Sequence, residues 1–283
     1  MLSKSQNQIM DTLYHKQYIH SPDAEWVVFV HGAGGSSAIW FKQIKAFSEH
    51  FNILLIDLRG HGRSADFTDK KNMVAYSFEL IAQDIIQVLD HLKIGNAHFI
   101  GVSLGTLVIR QLGEMINTRV KSMVLIGAIT NFNFKSRFWV GLGSIFKSVL
   151  PYMWLYRLFA FVIMPAPAHK ESRNIFVAEA KKLCRKEFLR WYKLTGQLTG
   201  VFHKFKIHLP IPTLYVMGDQ DYMFLEPIRN DISNVQHAGL LVVQECGHVV
   251  NIEKAVYFND QVISYLKGLN ANVKREVPII SLT

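Results

Sequence analysis

The chain has 283 residues, 49% of them hydrophobic, which suffices for one large α/β domain with an insertion. Its two cysteines, Cys184 and Cys246, argue against a disulfide framework and favour a reducing, cytoplasmic setting, and the polar stretch 1–11 lacks the apolar run of a secretory signal. The net charge of +9 is carried by one stretch, because residues 132–205 contain 13 Lys and Arg against 3 Glu.

Short apolar runs alternate with stretches of helical periodicity through most of the chain. Runs rich in β-branched and aromatic residues predict buried strands at 26–30, 53–56, 97–100, 123–126, 213–217 and 240–243, with an edge strand at 13–20. Apolar residues at helical spacing predict helices at 37–49, 78–92, 104–116 and 252–266. Strands that alternate with helices in this way predict a mostly parallel sheet with helices on both faces.

The alternation stops between residues 131 and 206. This stretch is dense in aromatic residues and helix formers, is broken by three prolines and contains no strand pattern. We therefore predict a helical insertion at 131–206 in a core formed by 1–130 and 207–283. The most apolar part of the insertion, 138–164, is interrupted by charges and a proline, which disfavours a membrane span.

The pentapeptide Gly-Val-Ser-Leu-Gly at 101–105 fits the pattern G-x-S-x-G. It follows a predicted strand and begins a predicted helix, which is the context in which this pattern marks a nucleophile. Glycines on both sides of Ser103 permit a turn too tight for larger side chains, and such a turn holds the serine hydroxyl clear of the sheet. Ser103 is therefore the candidate nucleophile.

A serine hydroxyl needs a base, and the base needs an orienting carboxylate. Among the twelve histidines His248 is the best placed, because it follows the last predicted strand and precedes the last predicted helix. Asp219 and Asp221 both follow the strand at 213–217 and are both candidates for the acid. Ligands of parallel sheets bind at the carboxyl ends of the strands, so these residues are expected to converge on Ser103.

The tetrahedral intermediate of acyl transfer needs preorganised N–H donors for its oxyanion. Leu104 N–H directly follows the nucleophile, and Ala33 N–H lies in the glycine-rich loop at 31–35, so these two are the candidate donors. His31 and His61 are expected to hold their loops by hydrogen bonds to the backbone. The loop lacks the Lys and Ser/Thr ending of a P-loop, and no Cys/His spacing indicates a metal site.

Taken together, these motifs resemble the α/β-hydrolase superfamily, in its serine esterase- or lipase-like form with a helical cap. The matching pieces, in the family's order, are HGAGG (31–35), DLRGHGRS (57–64), GVSLG (101–105), GDQD (218–221) and GH (247–248). The resemblance implies the α/β-hydrolase fold, favours Asp221 over Asp219 as the acid, and makes the insertion at 131–206 a cap over the site. One departure is Thr106, where many relatives carry a glycine.

We therefore expect a serine hydrolase that cleaves carboxylic esters through an acyl-enzyme, with Ser103, His248 and Asp221 as its triad and with no cofactor. The apolar insertion favours substrates with an acyl or aromatic part. Lactones, thioesters, a carbon–carbon bond substrate of the same superfamily, and a slow-turnover binding or signalling role that keeps the triad all remain open. Haloalkane dehalogenases and epoxide hydrolases are disfavoured, because those relatives carry aspartate where this chain has Ser103.

The basic insertion has two interpretations. Its cations, which are frequent at 181–193, form either a solvated helix face or a surface that attracts anionic lipid or an acidic substrate. Nucleic acid is not an expected partner, because no recognised binding motif accompanies the charge.

Overall fold

The computed structural model describes residues 12–67, 75–131, 138–139, 141, 150–204, 209–233 and 235–270. Within these residues, seven strands form one sheet in the order β1-β3-β2-β4-β5-β6-β7. They are β1 (His15–Tyr18), β2 (Trp26–Val30), β3 (Asn52–Ile56), β4 (Ala97–Val102), β5 (Val120–Ile126), β6 (Thr213–Gly218) and β7 (Ala238–Val243). β1 pairs antiparallel with β3, and every other neighbouring pair is parallel. The predicted mostly parallel sheet is confirmed.

Helices connect the strands. Those in the described part of the chain are α1 (Ile44–Ser48), α2 (Phe78–His91), α3 (Leu104–Met115), α4 (Tyr152–Ile163), α5 (Lys170–Ala180), α6 (Arg185–Leu194), α7 (Leu198–Lys204), α8 (Leu225–Ile232), α9 (Val250–Glu253) and α10 (Ala255–Asn270). The continuous helix predicted at 37–49 is wrong. A 3₁₀ turn at Ser37–Trp40 precedes α1 and buries the Trp40 ring 4.9 Å from that of Phe29, a contact that sequence periodicity does not reveal.

The continuous apolar runs arise because both faces of the sheet are covered. Along β2, Val28 and Val30 belong to the core that α2 and α3 complete, whereas Val27 and Phe29 belong to the core that α1 and α10 complete. All four side chains have no exposed surface. Successive side chains of a strand point to opposite faces, so a strand between two helix layers has no polar side.

Helices α4 to α7 lie between β5 and β6 in the chain and are attached to loops at the carboxyl end of the sheet. Tyr222 OH, in the loop after β6, donates a hydrogen bond to the carbonyl of Val162 in α4. Ser36 Oγ, in the loop after β2, donates to Glu179 Oε2 of α5 at 2.5 Å. Helices α4 and α5 are therefore held against the end of the sheet where the predicted site residues lie.

The predicted limits of the insertion adjoin residues 132–137 and 205–208, which lie outside the described residues, so the division at 131–206 stays a prediction. A helix able to cross a bilayer is not found in the described part of the chain, where every helix falls short in length or apolar character.

A buried ion pair attaches α2 to the loop that follows β3. Arg59 donates from Nε and Nη2 to the two carboxylate oxygens of Asp84, both at 2.5 Å. The two side chains are 3% and 4% exposed. The Arg59 guanidinium also lies 5.2 Å from the ring centre of Tyr76. Because neither charge is hydrated, each needs the other to remain buried.

We expect Asp84→Asn to lower the free energy of unfolding by about 3–5 kcal/mol, because it removes the carboxylate charge that balances the buried Arg59 guanidinium. The matched control is Asp90→Asn on the same helix, whose carboxylate pairs with Arg119 at 2.7 Å but is 59% exposed. That substitution should cost about 1 kcal/mol or less. Urea unfolding of the three proteins measures both values, and equal losses would contradict the importance given to burial.

Candidate active site

Ser103 stands at the turn between β4 and α3 with a strained backbone. Its φ of 54° and ψ of −124° are outside the regions that residues with a side chain usually adopt. The turn is held by Ser103 N–H, which donates to Ile126 O at 2.9 Å, and by Thr106 Oγ1, which donates to Ser103 O at 2.6 Å. The Thr106 hydroxyl is therefore occupied by the turn itself.

The turn brings the end of β4 and the start of α3 very close to neighbouring segments, which leaves little room for side chains at its flanks. A Cβ on Gly105 would lie 2.6 Å from the carbonyl oxygens of both Val30 and His31, at the end of β2. A Cβ on Gly101 would lie 2.5 Å from Cδ1 of Ile109 on α3. Real Cβ atoms do not approach other heavy atoms this closely. Glycine is therefore required at 105, where the atoms are backbone oxygens, whereas at 101 the end of the Ile109 side chain would have to shift.

His248 and Asp221 are brought together below the serine turn. His248 Nδ1 lies 2.7 Å from Asp221 Oδ2, and the residues are only 3% and 0% exposed. In the tautomer that donates from Nδ1 to this carboxylate, Nε2 presents its lone pair. His248 Nε2 is buried and makes no hydrogen bond within the described part of the structure. The ring of Phe224 lies 5.4 Å from the imidazole and closes one side of it.

The other candidate acid, Asp219, has a different partner. Its Oδ1 accepts a hydrogen bond from Cys246 N–H at 3.0 Å, which joins the loop after β6 to the loop after β7. Asp219 therefore holds the two loops in place, while Asp221 is the carboxylate at the imidazole. The loop after β6 receives a further contact from the helical region, since His169 Nε2 lies 2.9 Å from Gln220 Oε1.

The two predicted oxyanion donors belong to segments that meet at Ser103. Ala33, Ser103 and Leu104 line one cavity together with His248. Leu104 is the first residue of α3, so its N–H has no acceptor within the helix. The arrangement thus brings a hydroxyl, an imidazole and two backbone segments with candidate N–H donors to one space.

Two buried histidines hold the loop that carries Ala33. His31 Nε2 accepts from Leu58 N–H at 2.9 Å, and His61 Nε2 accepts from Gly34 N–H at 2.9 Å. Their Nδ1 atoms face carbonyl oxygens, Gly32 O at 2.8 Å for His31 and Arg59 O at 3.0 Å for His61. Burial lowers the pKa of His31, and burial together with the neighbouring His31 lowers the pKa of His61 to about 3. Both rings are therefore neutral and structural, as the sequence predicted.

The cavity has a volume of about 220 Å³ and is lined mainly by apolar side chains. Among the described residues, helices α4 to α6 supply nine of them: Tyr156, Phe159, Val162, Ile163, Ile175, Phe176, Phe188, Trp191 and Tyr192. The loop after β6 adds Met223 and Phe224, next to Asp221. A ligand that touches Ser103 is therefore surrounded largely by hydrocarbon and aromatic surface.

Two polar residues of α5 that the sequence did not single out also line the cavity. Ser172 is fully buried, and its Oγ has no hydrogen-bond partner within the described residues. Glu179 pairs with Lys182 at 2.5 Å as well as with Ser36. With Ile175 between them, these residues share one helix face at spacings of three, four and seven. The spacing was visible in the sequence, but which face meets the cavity was not.

The described residues contain no group of three or more His, Cys, Asp or Glu side chains arranged to hold a metal ion. The polar groups near Ser103 instead suit proton transfer and hydrogen bonding. A serine hydroxyl and an imidazole that line one cavity are the groups that nucleophilic attack on an electrophilic carbon requires.

This chain is similar to several known hydrolases. A family model described as the alpha/beta hydrolase fold matches residues 25–150. A putative carbamate hydrolase of Yersinia enterocolitica is 26% identical over 258 residues, which cover 87% of this chain and 89% of that protein. A putative esterase/lipase of Haemophilus influenzae is 26% identical over 251 residues, covering 84% of this chain and 81% of that protein. A solved hydrolase from Oleispira antarctica superposes with a TM-score of 0.78 at 16% identity, covering 93% of this chain and 97% of that chain.

We expect the free energy of unfolding to fall as the pH drops below about 6.5, the pKa of an unfolded histidine. The unfolded chain then binds a proton that His61, with its folded pKa of about 3, does not bind. The slope should approach about 1.4 kcal/mol per pH unit for each such histidine. Urea unfolding between neutral and mildly acidic pH measures it. A His61→Asn variant should be less stable but have a shallower slope, and an unchanged slope would show that His61 is not the group responsible.

Proposed function

We propose that this chain, of which residues 25–150 match the alpha/beta hydrolase model, is a serine hydrolase that cleaves carboxylic esters with an apolar acyl or aromatic part. The observation that carries the proposal is the 2.7 Å contact between His248 Nδ1 and Asp221 Oδ2. His248 Nε2, which has no hydrogen-bond partner among the described residues, remains available as a base at the cavity that Ser103 lines. A buried imidazole with one nitrogen paired to a carboxylate and the other free is arranged for general-base catalysis.

In the proposed mechanism, Ser103 Oγ attacks the ester carbonyl carbon while His248 Nε2 takes the hydroxyl proton. Asp221 accepts the hydrogen bond from Nδ1 and stabilises the imidazolium that forms. The imidazolium then delivers its proton to the leaving alcohol, and the C–O bond breaks to leave an acyl-serine. Water, deprotonated by the same imidazole, attacks the acyl-serine and releases the carboxylic acid and the free Ser103 hydroxyl.

The negative charge on the carbonyl oxygen develops only in the tetrahedral intermediate. We assign its stabilisation to the N–H groups of Ala33 and Leu104. The loop of Ala33 is held by neutral His31 and His61, so its backbone does not need to reorganise during the reaction. Donors fixed in advance in a cavity with few polar groups act more strongly than the same donors in water.

The lining of the cavity supports an apolar substrate. Aromatic and aliphatic side chains of α4 to α6 surround the approach to Ser103, so an acyl chain or aromatic ring gains from leaving water. The relatives differ in the bond that their names assign, carbamate in one and ester or lipid ester in another. In each bond a carbonyl carbon is attacked, so the same residues serve either, and the ester is favoured here by the apolar lining.

Substitution of Ser103 tests its role as the nucleophile. The protein should hydrolyse nitrophenyl esters with a preferred acyl length, and Ser103→Ala should lower kcat by at least about 10⁴-fold without unfolding the protein. Release of nitrophenolate measures the rate, and circular dichroism verifies folding. Activity that survives the substitution would exclude Ser103 as the nucleophile.

A series that includes a carbamate, a lactone and a diketone separates the alternatives. Turnover of the diketone with little of any ester would favour a carbon–carbon bond hydrolase. Tight, saturable binding of an ester with negligible turnover would favour a binding or signalling protein. Either outcome would overturn the ester hydrolase proposal while leaving the fold assignment unaffected.

Substitution of Asp221 and Asp219 in turn distinguishes the roles of the two aspartates. Asp221→Asn should lower kcat about 10⁴-fold, because an amide that donates to Nδ1 forces the imidazole proton onto Nε2. Asp219→Asn is the matched control, since its amide oxygen still accepts from Cys246 N–H. Its loss should stay below about tenfold, the cost of one weakened hydrogen bond. Equal losses in the two variants would contradict the assignment of Asp221 as the acid.

A further inference from the structure

Helix α4 exposes a stripe of large apolar side chains. Trp154, Leu158 and Phe161 are 65%, 37% and 58% exposed, and the exposed Arg157 lies among them. Their spacing of three, four and seven places all four on one face of the helix. We propose that this stripe docks the protein onto the surface of a bilayer that contains anionic lipid. The inference concerns binding and does not depend on the proposed hydrolysis.

The opposite face of α4 is already occupied. Tyr156, Phe159 and Val162 line the cavity, and Leu155 and Ala160 are buried in the cores. Packing of that face therefore explains why the inner side of the helix is apolar, but it does not explain the outer side. A helix that is apolar on all sides is normally buried on all sides. Within the described residues, the outer stripe is contacted by Arg173, whose guanidinium lies 5.8 Å from the ring centre of Phe161, and no apolar segment covers it.

The charge of the surrounding helices complements an anionic surface. Residues 150–204 contain 10 Lys and Arg against 3 Glu. Each of the three glutamates pairs with a cation: Glu171 with Lys42, Glu179 with Lys182 and Glu187 with Arg190. The exposed cations of this region are Arg157, Lys170, Lys181, Lys182, Arg185, Lys186 and Lys193. Basic residues near a membrane surface are attracted to anionic lipid.

The dimensions of α4 favour a helix that lies on the membrane. With 12 residues it is about 18 Å long, well short of the hydrocarbon thickness of about 30 Å. A tryptophan and a phenylalanine on one face, with an arginine beside them, are typical of helices that lie at the boundary between headgroups and acyl chains. The aromatic rings enter the apolar layer while the guanidinium reaches the phosphates.

A second copy of the chain fits the stripe less well than an anionic bilayer does. Two-fold association would bring the same net positive region of both molecules together, and this repulsion opposes the contact. Three partly exposed side chains also offer much less apolar area than the interfaces of stable dimers. An anionic bilayer, in contrast, satisfies both the apolar stripe and the surrounding charge.

Sedimentation with lipid vesicles tests the proposal. The intact protein should bind vesicles of phosphatidylcholine mixed with phosphatidylglycerol, bind phosphatidylcholine alone much more weakly, and dissociate as salt is added. The double variant Trp154→Ser, Phe161→Ser should bind the mixed vesicles at least about tenfold more weakly, because two aromatic rings no longer leave water. Both substitutions are exposed, so melting temperature and esterase rate in solution should change little.

The matched control is Val256→Ser on α10, which removes an apolar side chain that is 76% exposed outside the basic helices. It should bind the mixed vesicles within about twofold of the unaltered protein. Binding that is absent, independent of lipid charge, or unchanged in the double variant would overturn the proposal. Self-association in lipid-free sedimentation velocity runs that the double variant abolishes would assign the stripe to a second copy instead.

Discussion

The strained backbone of Ser103 depends on close contact between the turn that carries it and the end of β2. Gly105 meets the carbonyl oxygens of Val30 and His31 at a distance that allows no Cβ. This contact starts α3 directly over the carboxyl end of β2 and brings the loop of Ala33 beside Leu104. A single close approach of two backbone segments therefore positions the candidate nucleophile and both candidate N–H donors. The strain, of about 1–3 kcal/mol, is offset by the buried apolar face of α3.

Neutral histidines have a structural role around this contact. An imidazole that donates through one nitrogen and accepts through the other can join a carbonyl to an N–H across a buried gap, which a cationic imidazole cannot do. His31 and His61 both do so, and the carbonyl of Arg59 that faces His61 also accepts from Trp191 Nε1 at 3.1 Å. The loop after β2, the loop after β3 and helix α6 are thus connected through backbone groups that would otherwise be unsatisfied in the core.

The helices between β5 and β6 have two different environments. Their inner faces supply the apolar lining of the cavity, and the contacts of Glu179 with Ser36 and of Glu187 with Tyr76 attach them to the loops beside the site. The outer face of α4 exposes Trp154 and Phe161. If the cavity binds an apolar ester and the outer stripe binds lipid, one helix contributes to both substrate and membrane recognition. Its hydrophobic sequence then reflects two separate constraints.

Local pattern was sufficient to predict the sheet, the helices on both sides of it and the serine turn. A strand covered on both faces is continuously apolar. The strand-to-helix turn around Ser103 calls for the glycines at 101 and 105. Both features can therefore be predicted from residues that are neighbours in the sequence. Local pattern left both Asp219 and Asp221 open, and only the family resemblance favoured Asp221. The tertiary contacts place Asp221 at His248 and Asp219 at Cys246 N–H, because these partners lie far along the chain. Tertiary contacts also explain why a 3₁₀ turn and α1 replace the single helix predicted at 37–49, and they determine which face of α5 lines the cavity. Each of these outcomes depends on contacts between segments far apart in the chain, and periodicity reports only that a helix has an apolar face, not what that face touches.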